Sequence, residues 1–235
     1  MKPEIALVSA DPLREEEVEA LWEAAPALLA VIVLQLLLAV VSRSAEWTLW
    51  LVTWWIWLIP VLPEVGLLLL LTWHKPRSRL ALIGKRHAAS LVALGIVSVA
   101  NALVLLVVIG SLLTGAQASG AQVLFEAAAV WSTNVATFGL WFWSFDRGGP
   151  VRRMRQGAPP PDFQFPQMEN PELARPDWSP GFLDYLYVSY TNSIAFSPTD
   201  AMPLSRGAKM LMLVGSAVSG LTVLLVAARA VNILS

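Results

Sequence analysis

The chain has 235 residues, of which 56% are hydrophobic and only 14% charged, with mean hydropathy +0.61 and net charge −1. A soluble domain carries about a quarter charged residues; here the shortfall is concentrated in long uncharged runs, the pattern of a membrane protein. The near-zero net charge offers no basic field for nucleic acid, and the lack of cysteine excludes disulfides, thiolate metal sites and cysteine nucleophiles.

Residues 1–23 form a polar lead-in with Glu15, Glu16, Glu17, Glu19 and Glu23. A secretory signal needs a basic region directly before its apolar stretch, so this segment reads as an amphipathic approach to a retained first helix. Its acids suit a helix start through the macrodipole. A hydrocarbon core of ~30 Å takes about 20 apolar residues as helix, and open backbone groups are not tolerated in lipid. The apolar runs are too long and continuous for barrel strands, which alternate in segments of ~10 residues.

The first predicted span covers residues 24–41. The second covers 47–72, with Trp47, Trp50, Trp54, Trp55 and Trp57 at a headgroup level and Pro60 and Pro63 kinking the helix. The third, 88–114, is uncharged throughout. The fourth, 121–145, ends in Trp141, Phe142, Trp143 and Phe145. Residues 146–180 are polar and proline-rich, including Pro159, Pro160 and Pro161, and predict an ordered or semi-extended loop. The last span, 210–228, lies between Lys209 and Arg229. The expected fold class is an all-α, polytopic transmembrane helical bundle of about five spans. It divides into the lead-in, a four-helix region at 24–145, the loop at 146–180, and a C-terminal part at 181–235.

Lys and Arg in short loops stay cytoplasmic. Lys75, Arg77, Arg79, Lys85 and Arg86 lie in the second loop, and Arg147, Arg152, Arg153 and Arg155 follow the fourth span. The first loop has only Arg43, and the third has no basic residue. Both basic segments are inside when the N-terminus is cytoplasmic, in a cell (inner or plasma) membrane. His74 and His87 lie beside these basic clusters and read as solvated interfacial histidines, not metal ligands.

The C-terminal part opens with a short amphipathic stretch. Asp177 and Ser179 are N-cap types and Pro180 suits a first helical position. Residues 182–189 then supply about three helical turns. A polar stretch, Thr191, Asn192 and Ser193, precedes Ser197, Pro198, Thr199 and Asp200. A short helix, a polar stretch, a proline-containing exit and a long helix is the order of a pore loop. The half-helix would point its negative dipole end at the membrane interior, which favours a cation. The charge rule favours a dip into the membrane and back over a crossing, with Arg206 and Lys209 inside.

From these residues two resemblances emerge. Residues 182–230, with Pro203, Leu204, Ser205, Arg206, Gly207, Ala208 and Lys209 leading into a Gly/Ser/Ala-studded helix, resemble the pore helix, filter and inner helix of potassium-channel pore domains. The aligned stretch Thr191, Asn192, Ser193, Ile194, Ala195, Phe196 lacks the filter glycine of that family, so the likeness implies a pore loop without that mechanism of potassium selectivity. The aromatic end of the fourth span, Asp162-Phe163-Gln164-Phe165-Pro166, Phe182-Leu183-Asp184-Tyr185-Leu186-Tyr187, Ser197-Pro198-Thr199-Asp200 and Val231-Asn232-Ile233-Leu234 together are similar to an uncharacterised bacterial membrane family known only as a domain of unknown function. That likeness implies a common fold and carries no activity.

Glu64 is an acid inside an apolar span, a costly placement that marks a cation- or proton-handling candidate; the plainer reading pairs it with a polar side chain of a neighbouring helix. Glu126 reads either the same way or as interfacial. Gln35, Asn101 and Asn134 read as groups that hydrogen-bond between helices. Asp184 suits the positive end of the short helix. Thr191, Asn192, Ser193, Thr199 and Asp200, with Glu64, are the candidate lining of a path for ions or small solutes. Gly215, Ser216, Ser219 and Gly220 are small residues four apart that permit close helix packing, within or between subunits. No nucleophile elbow, phosphate loop or HExxH motif is present, so an enzyme is not expected, nor any cofactor. Three functions follow. The first is a pore-loop channel-like protein, homo-oligomeric in the bilayer and passing a monovalent cation or small solute. The second is a secondary transporter using Glu64 in a proline-broken helix. The third is a non-transporting scaffold that docks partners through residues 146–180.

Overall fold

The computed structural model describes residues 22–49, 52–72, 86–113, 120–154, 157–176, 178–195 and 200–234. Six principal helices form the bundle: α1 (Ala25–Ser44), α2 (Val61–Thr72), α3 (Arg86–Leu113), α4 (Gly120–Phe145), α5 (Phe182–Ala195) and α6 (Arg206–Leu234). A two-residue ribbon pairs β1 (Phe163–Gln164) antiparallel to β2 (Met202–Pro203). Five stretches are long and apolar enough to cross a membrane: Ala25–Ser44, Trp54–Thr72, His87–Ser111, Gln122–Gly148 and Arg206–Leu225. The chain is an all-α bundle with the helix content of a multi-pass membrane protein.

Long-range contacts fix the two ends of the bundle. At one end, Glu23 before α1 accepts a hydrogen bond from the Phe182 N–H at 2.8 Å. His87 at the start of α3 lies against Gly149, and Gly207 at the start of α6 lies against the Phe145 ring at the end of α4. At the opposite end, Gln122 early in α4 reaches the Thr48 carbonyl beyond α1 at 3.5 Å. So α1, α3 and α6 run away from the Phe145 end, and α2 and α4 run towards it. Arg147, Arg152, Arg153, Arg206 and Lys209 collect at the Phe145 end, and Arg43 sits at the other, over the Trp54 ring.

Helix α4 is the centre. Of its apolar window 72% is buried inside the protein, against 28–44% for the other four spans. The outward faces of α1, α3 and α6 carry Val40, Val92, Val99, Leu213 and Leu224, all exposed. In water such faces would associate; against lipid tails they are already solvated. Gly215 of α6 abuts the Phe138 ring of α4, where an added Cβ would stand 3.1 Å from it. Ser219 is fully buried and binds Asn134, and Ser216 donates to the Asn192 carbonyl. The small-residue face of α6 therefore packs within the subunit at these three positions, while Gly220 is half-buried.

Two segments depart from the sequence expectation. Residues 47–72 do not form one kinked helix. A 3-10 turn at Trp54–Leu58 precedes α2, which begins at Val61. Pro63 thereby falls in the first turn, where N–H groups have no intrahelical partner and proline costs nothing. The prolines mark the break between the 3-10 turn and α2 within this span. The second departure is at residues 191–193, which continue α5 to Ala195 instead of forming a non-helical stretch. Thr191 Oγ bonds the Tyr187 and Val188 carbonyls, and Ser193 Oγ bonds that of Tyr190. Such back-bonding satisfies a hydroxyl inside a helix without water.

Helix α5 enters the bundle from the Phe145 end. Its N–H groups at Gly181 and Phe182 are capped by Asp184 and Glu23. Descending α4, Gly139 faces Leu186, the Val135 carbonyl accepts from Ser189, and Trp131 meets Tyr190 edge-on. The chain then returns to its point of entry, because β2 pairs with β1 and the Leu204 N–H donates to the Asp162 carbonyl at 2.8 Å. The segment dips in and leaves by the same end. At 1.5 Å per residue, α5 is about 21 Å long, short of a ~30 Å core. Ser205 caps α6, its Oγ accepting the Ala208 N–H.

Candidate functional site

The dip is anchored on Asp146, which is wholly buried at the end of α4. The chain reverses there because Arg147, Gly148 and Gly149 adopt positive φ, a conformation glycine accepts freely. Asp146 Oδ1 accepts the N–H groups of Asp162 at 2.7 Å and Phe163 at 3.2 Å. Its Oδ2 accepts the Tyr185 hydroxyl at 2.6 Å and stands 3.7 Å from Arg153 Nη1. Arg153 Nη1 also donates to the Tyr185 oxygen and the Trp143 carbonyl, and its guanidinium lies 4.8 Å from the Tyr185 ring centroid. Burial pulls Arg153 below its ordinary value, opposed by Tyr185 and Asp146. Burial pushes the Tyr185 phenol well above its own. Burial likewise raises Asp184, opposed by the Gly181 N–H and Arg153.

Around this hub Phe163 and Phe165 insert their rings. Phe163 lies 5.2 Å from Phe142, and Phe165 lies 5.3 Å from Tyr185 and 6.0 Å from Trp178. Residues 157–176 are therefore a cap bolted to the bundle by aromatic burial and by Asp146. Three segments singled out in the sequence meet here: the aromatic end of α4, Asp162–Pro166, and the start of α5.

The expected pore lining is not gathered into one surface. Asn192 and Ser193 are buried, and Asn192 donates to the Met212 carbonyl of α6 at 3.0 Å. Thr191 is half-buried and Asp200 is exposed near β2. Thr199 lies outside the described residues, as do His74 and the basic second loop before Arg86. On the outer side of α4 and α5 a groove of about 440 Å³ is lined by Trp131, Ser132, Val135, Leu183, Leu186, Tyr187 and Tyr190.

The buried polar groups of the spans have mostly found partners. Asn101 bonds Thr137 between α3 and α4 at 3.0 Å, and Asn134 bonds Ser219 between α4 and α6 at 2.6 Å. Glu126 is buried within the bundle and accepts from Gln122 one turn earlier at 2.9 Å.

Glu64 is different. It is 1% exposed, in the first turn of α2, where the helix dipole favours a carboxylate. Its Oε1 accepts from Gln35 Nε2 of α1 at 2.9 Å. Its Oε2 and the Gln35 Oε1 are both buried with no hydrogen-bond partner. Gln35 is ten residues from Ala25 and nine from Ser44, so the pair sits about 14–15 Å from either end of α1, midway along the helix. Ser42 Oγ on the same face of α1 and Trp57 Nε1 before α2 are also buried without partners. Sequence alone marked Glu64 as an acid in an apolar run. The partner at Gln35, 29 residues earlier, and the two orphaned oxygens required the fold. Among the described residues no cluster of three metal-ligand side chains occurs.

No family model, no curated protein and no solved structure matches the chain.

Proposed function

We propose that this multi-pass membrane protein is a secondary transporter whose exchangeable group is the Glu64 carboxyl, coupled to a monovalent cation or a proton. One observation carries the reading: a carboxyl buried beside the middle of α1 with one oxygen bonded to Gln35 and the other unpartnered. An ionisable group in that position is costly to keep and is a functional site by default. Its placement at a helix start behind Pro60 and Pro63 is the broken-helix arrangement that transporters use at the midplane. The orientation that fits is N-terminus cytoplasmic in the cell membrane, with the basic Phe145 end inside.

The test needs no knowledge of the solute. Proteoliposomes adsorbed on a solid-supported membrane are stepped in pH or in Na⁺, and charge displacement is recorded. Wild type should respond and Glu64→Gln should not. Equal signals from both proteins would remove Glu64 from the mechanism.

A second reading, a pore-loop homo-oligomer, is favoured by the return of the chain, after α5, to the end at which α5 enters. In that reading Thr191 and Asp200 are the described polar residues left to face a shared path, since Asn192 and Ser193 are engaged within the subunit. A closed ring in native mass spectrometry from nanodiscs supports it, and a strict monomer rejects it.

A further inference from the structure

We infer that the ligand of the Glu64 site is a single proton, held in a two-point hydrogen-bonded ring between the Glu64 carboxyl and the Gln35 amide. This rests on the reading of Glu64 as the exchangeable group and names what it exchanges.

A primary amide has two N–H donors and one carbonyl acceptor; an ionised carboxylate only accepts. With Glu64 ionised, one bond forms, Gln35 Nε2 to Glu64 Oε1 at 2.9 Å. Two acceptors, Glu64 Oε2 and Gln35 Oε1, each on one of the two bonded side chains, are then left buried with no donor. Buried polar atoms without partners are rare in native structures and call for an explanation. One proton on Oε2 removes both at once, since Oε2–H donates to Gln35 Oε1 while Nε2–H still donates to Oε1. Turning the amide over leads to the same result: its carbonyl would then face a carboxyl oxygen, and that contact also needs a proton between them.

Among the described residues, the charged groups on the elements packed against the pair lie at helix ends or have partners of their own: on α4, which packs on α1, Glu126 accepts from Gln122 and Asp146 is held at the far end. Helix α1 carries Glu23 before its start, engaged with the Phe182 N–H, and Arg43 near its end, stacked on Trp54. The Trp54–Leu58 turn has no charged residue, and α2 has none besides Glu64. Helix α3, which packs on α2, is charged only at its Arg86–His87 start. A hard divalent cation takes about six oxygen ligands, and a dehydrated monovalent one is likewise ringed by oxygens. Here two side-chain oxygens of the pair are without a partner, and the residues one turn away along the two helices, Ile32, Leu38 and Leu67, are apolar and buried.

The measurement is infrared spectroscopy of the full-length protein in lipid at neutral pH. The difference between wild type and Glu64→Gln should contain the C=O stretch of a protonated carboxyl that shifts in D₂O. In Gln35→Met the band should move towards the position of a free acid, because its acceptor is gone. That variant also serves if Glu64→Gln does not fold. Added Na⁺ should leave the band unchanged. A difference spectrum showing only carboxylate bands, or a band removed by Na⁺ at constant pH, overturns the proposal. Failure of the transport reading looks different: the band is present and the pH-step signal is absent, so the proton pair stands and the carrier does not. A pH- or Na⁺-step signal that needs Glu64, without the band, leaves the carrier and overturns the proton.

Discussion

Asp146 gathers its partners from distant parts of the chain: the cap at Asp162 and Phe163, the α5 hydroxyl of Tyr185 and the Arg153 guanidinium. The Asp146 and Arg153 side chains are 0% and 6% exposed, so solvent screens the pair little. Breaking a buried ion pair from one side leaves an uncompensated charge and costs roughly 3–5 kcal/mol. Asp146→Ala should lose about that much, with residues 157–176 becoming open to protease, measured by thermal unfolding and limited proteolysis in detergent. Tyr185→Phe removes one donor to a carboxylate and should lose about 1.5–3 kcal/mol. It should also change the pH dependence. Burial first, and then the Asp146 charge, hold the folded phenol above its ordinary value, while Arg153 opposes them. A group raised on folding contributes fully below its unfolded pKa of about 10, and that contribution is lost as pH rises towards the folded value. Wild-type stability should therefore fall above about pH 10, and the slope should flatten in Tyr185→Phe.

The contact between α4 and α5 decides whether the dip exists. A Cβ placed on Gly139 would stand 3.6 Å from the Leu186 Cβ, within the ~3.5–4.5 Å that a disulfide needs. The chain contains no cysteine, so an introduced pair reports without background. Gly139→Cys with Leu186→Cys should close an intramolecular bridge under mild oxidation, read by mass after alkylation of free thiols. Two alkylated thiols would mean that α5 does not lie on α4 in this register. That α5 would be helical was legible from Phe182, Leu183, Tyr185, Leu186 and Val188. Its far boundary was not, because Thr191, Asn192 and Ser193 look like groups that need water at that depth. Their hydroxyls instead bond carbonyls three and four residues back, and Asn192 finds Met212, twenty residues on. The second span was legible as a span, and where its helix starts was hidden for a related reason. Pro60 and Pro63 break a helix in its interior and are harmless in its first turn, and only the fold says which applies.

Across the whole molecule, what sequence shows is the partition between lipid and water, and what it hides is which polar groups meet. Five apolar stretches were visible because each is a local property of about 20 residues. The Asp146 hub and the Glu23 cap were not, since their bonds join residues up to 39 and 159 positions apart. Topology lies between the two, and it can be tested as one proposition. Helices α1, α2, α3 and α4 cross in alternation, α5 returns, and α6 crosses last, so the C-terminus belongs on the side opposite Glu23. The basic residues Arg147, Arg152, Arg206 and Lys209 share the Glu23 side, which the charge rule assigns to the cytoplasm. An alkaline phosphatase reporter, active only outside, should be silent when fused within residues 157–176 and active after Ser235. Activity at neither position would mean that the segment at 182–203 crosses and that α6 brings the C-terminus back inside. It would also break the pairing of β1 with β2, because those strands would then lie on opposite faces of the membrane. The reporter at the C-terminus therefore tests the ribbon, the Asp146 anchor and the dip together.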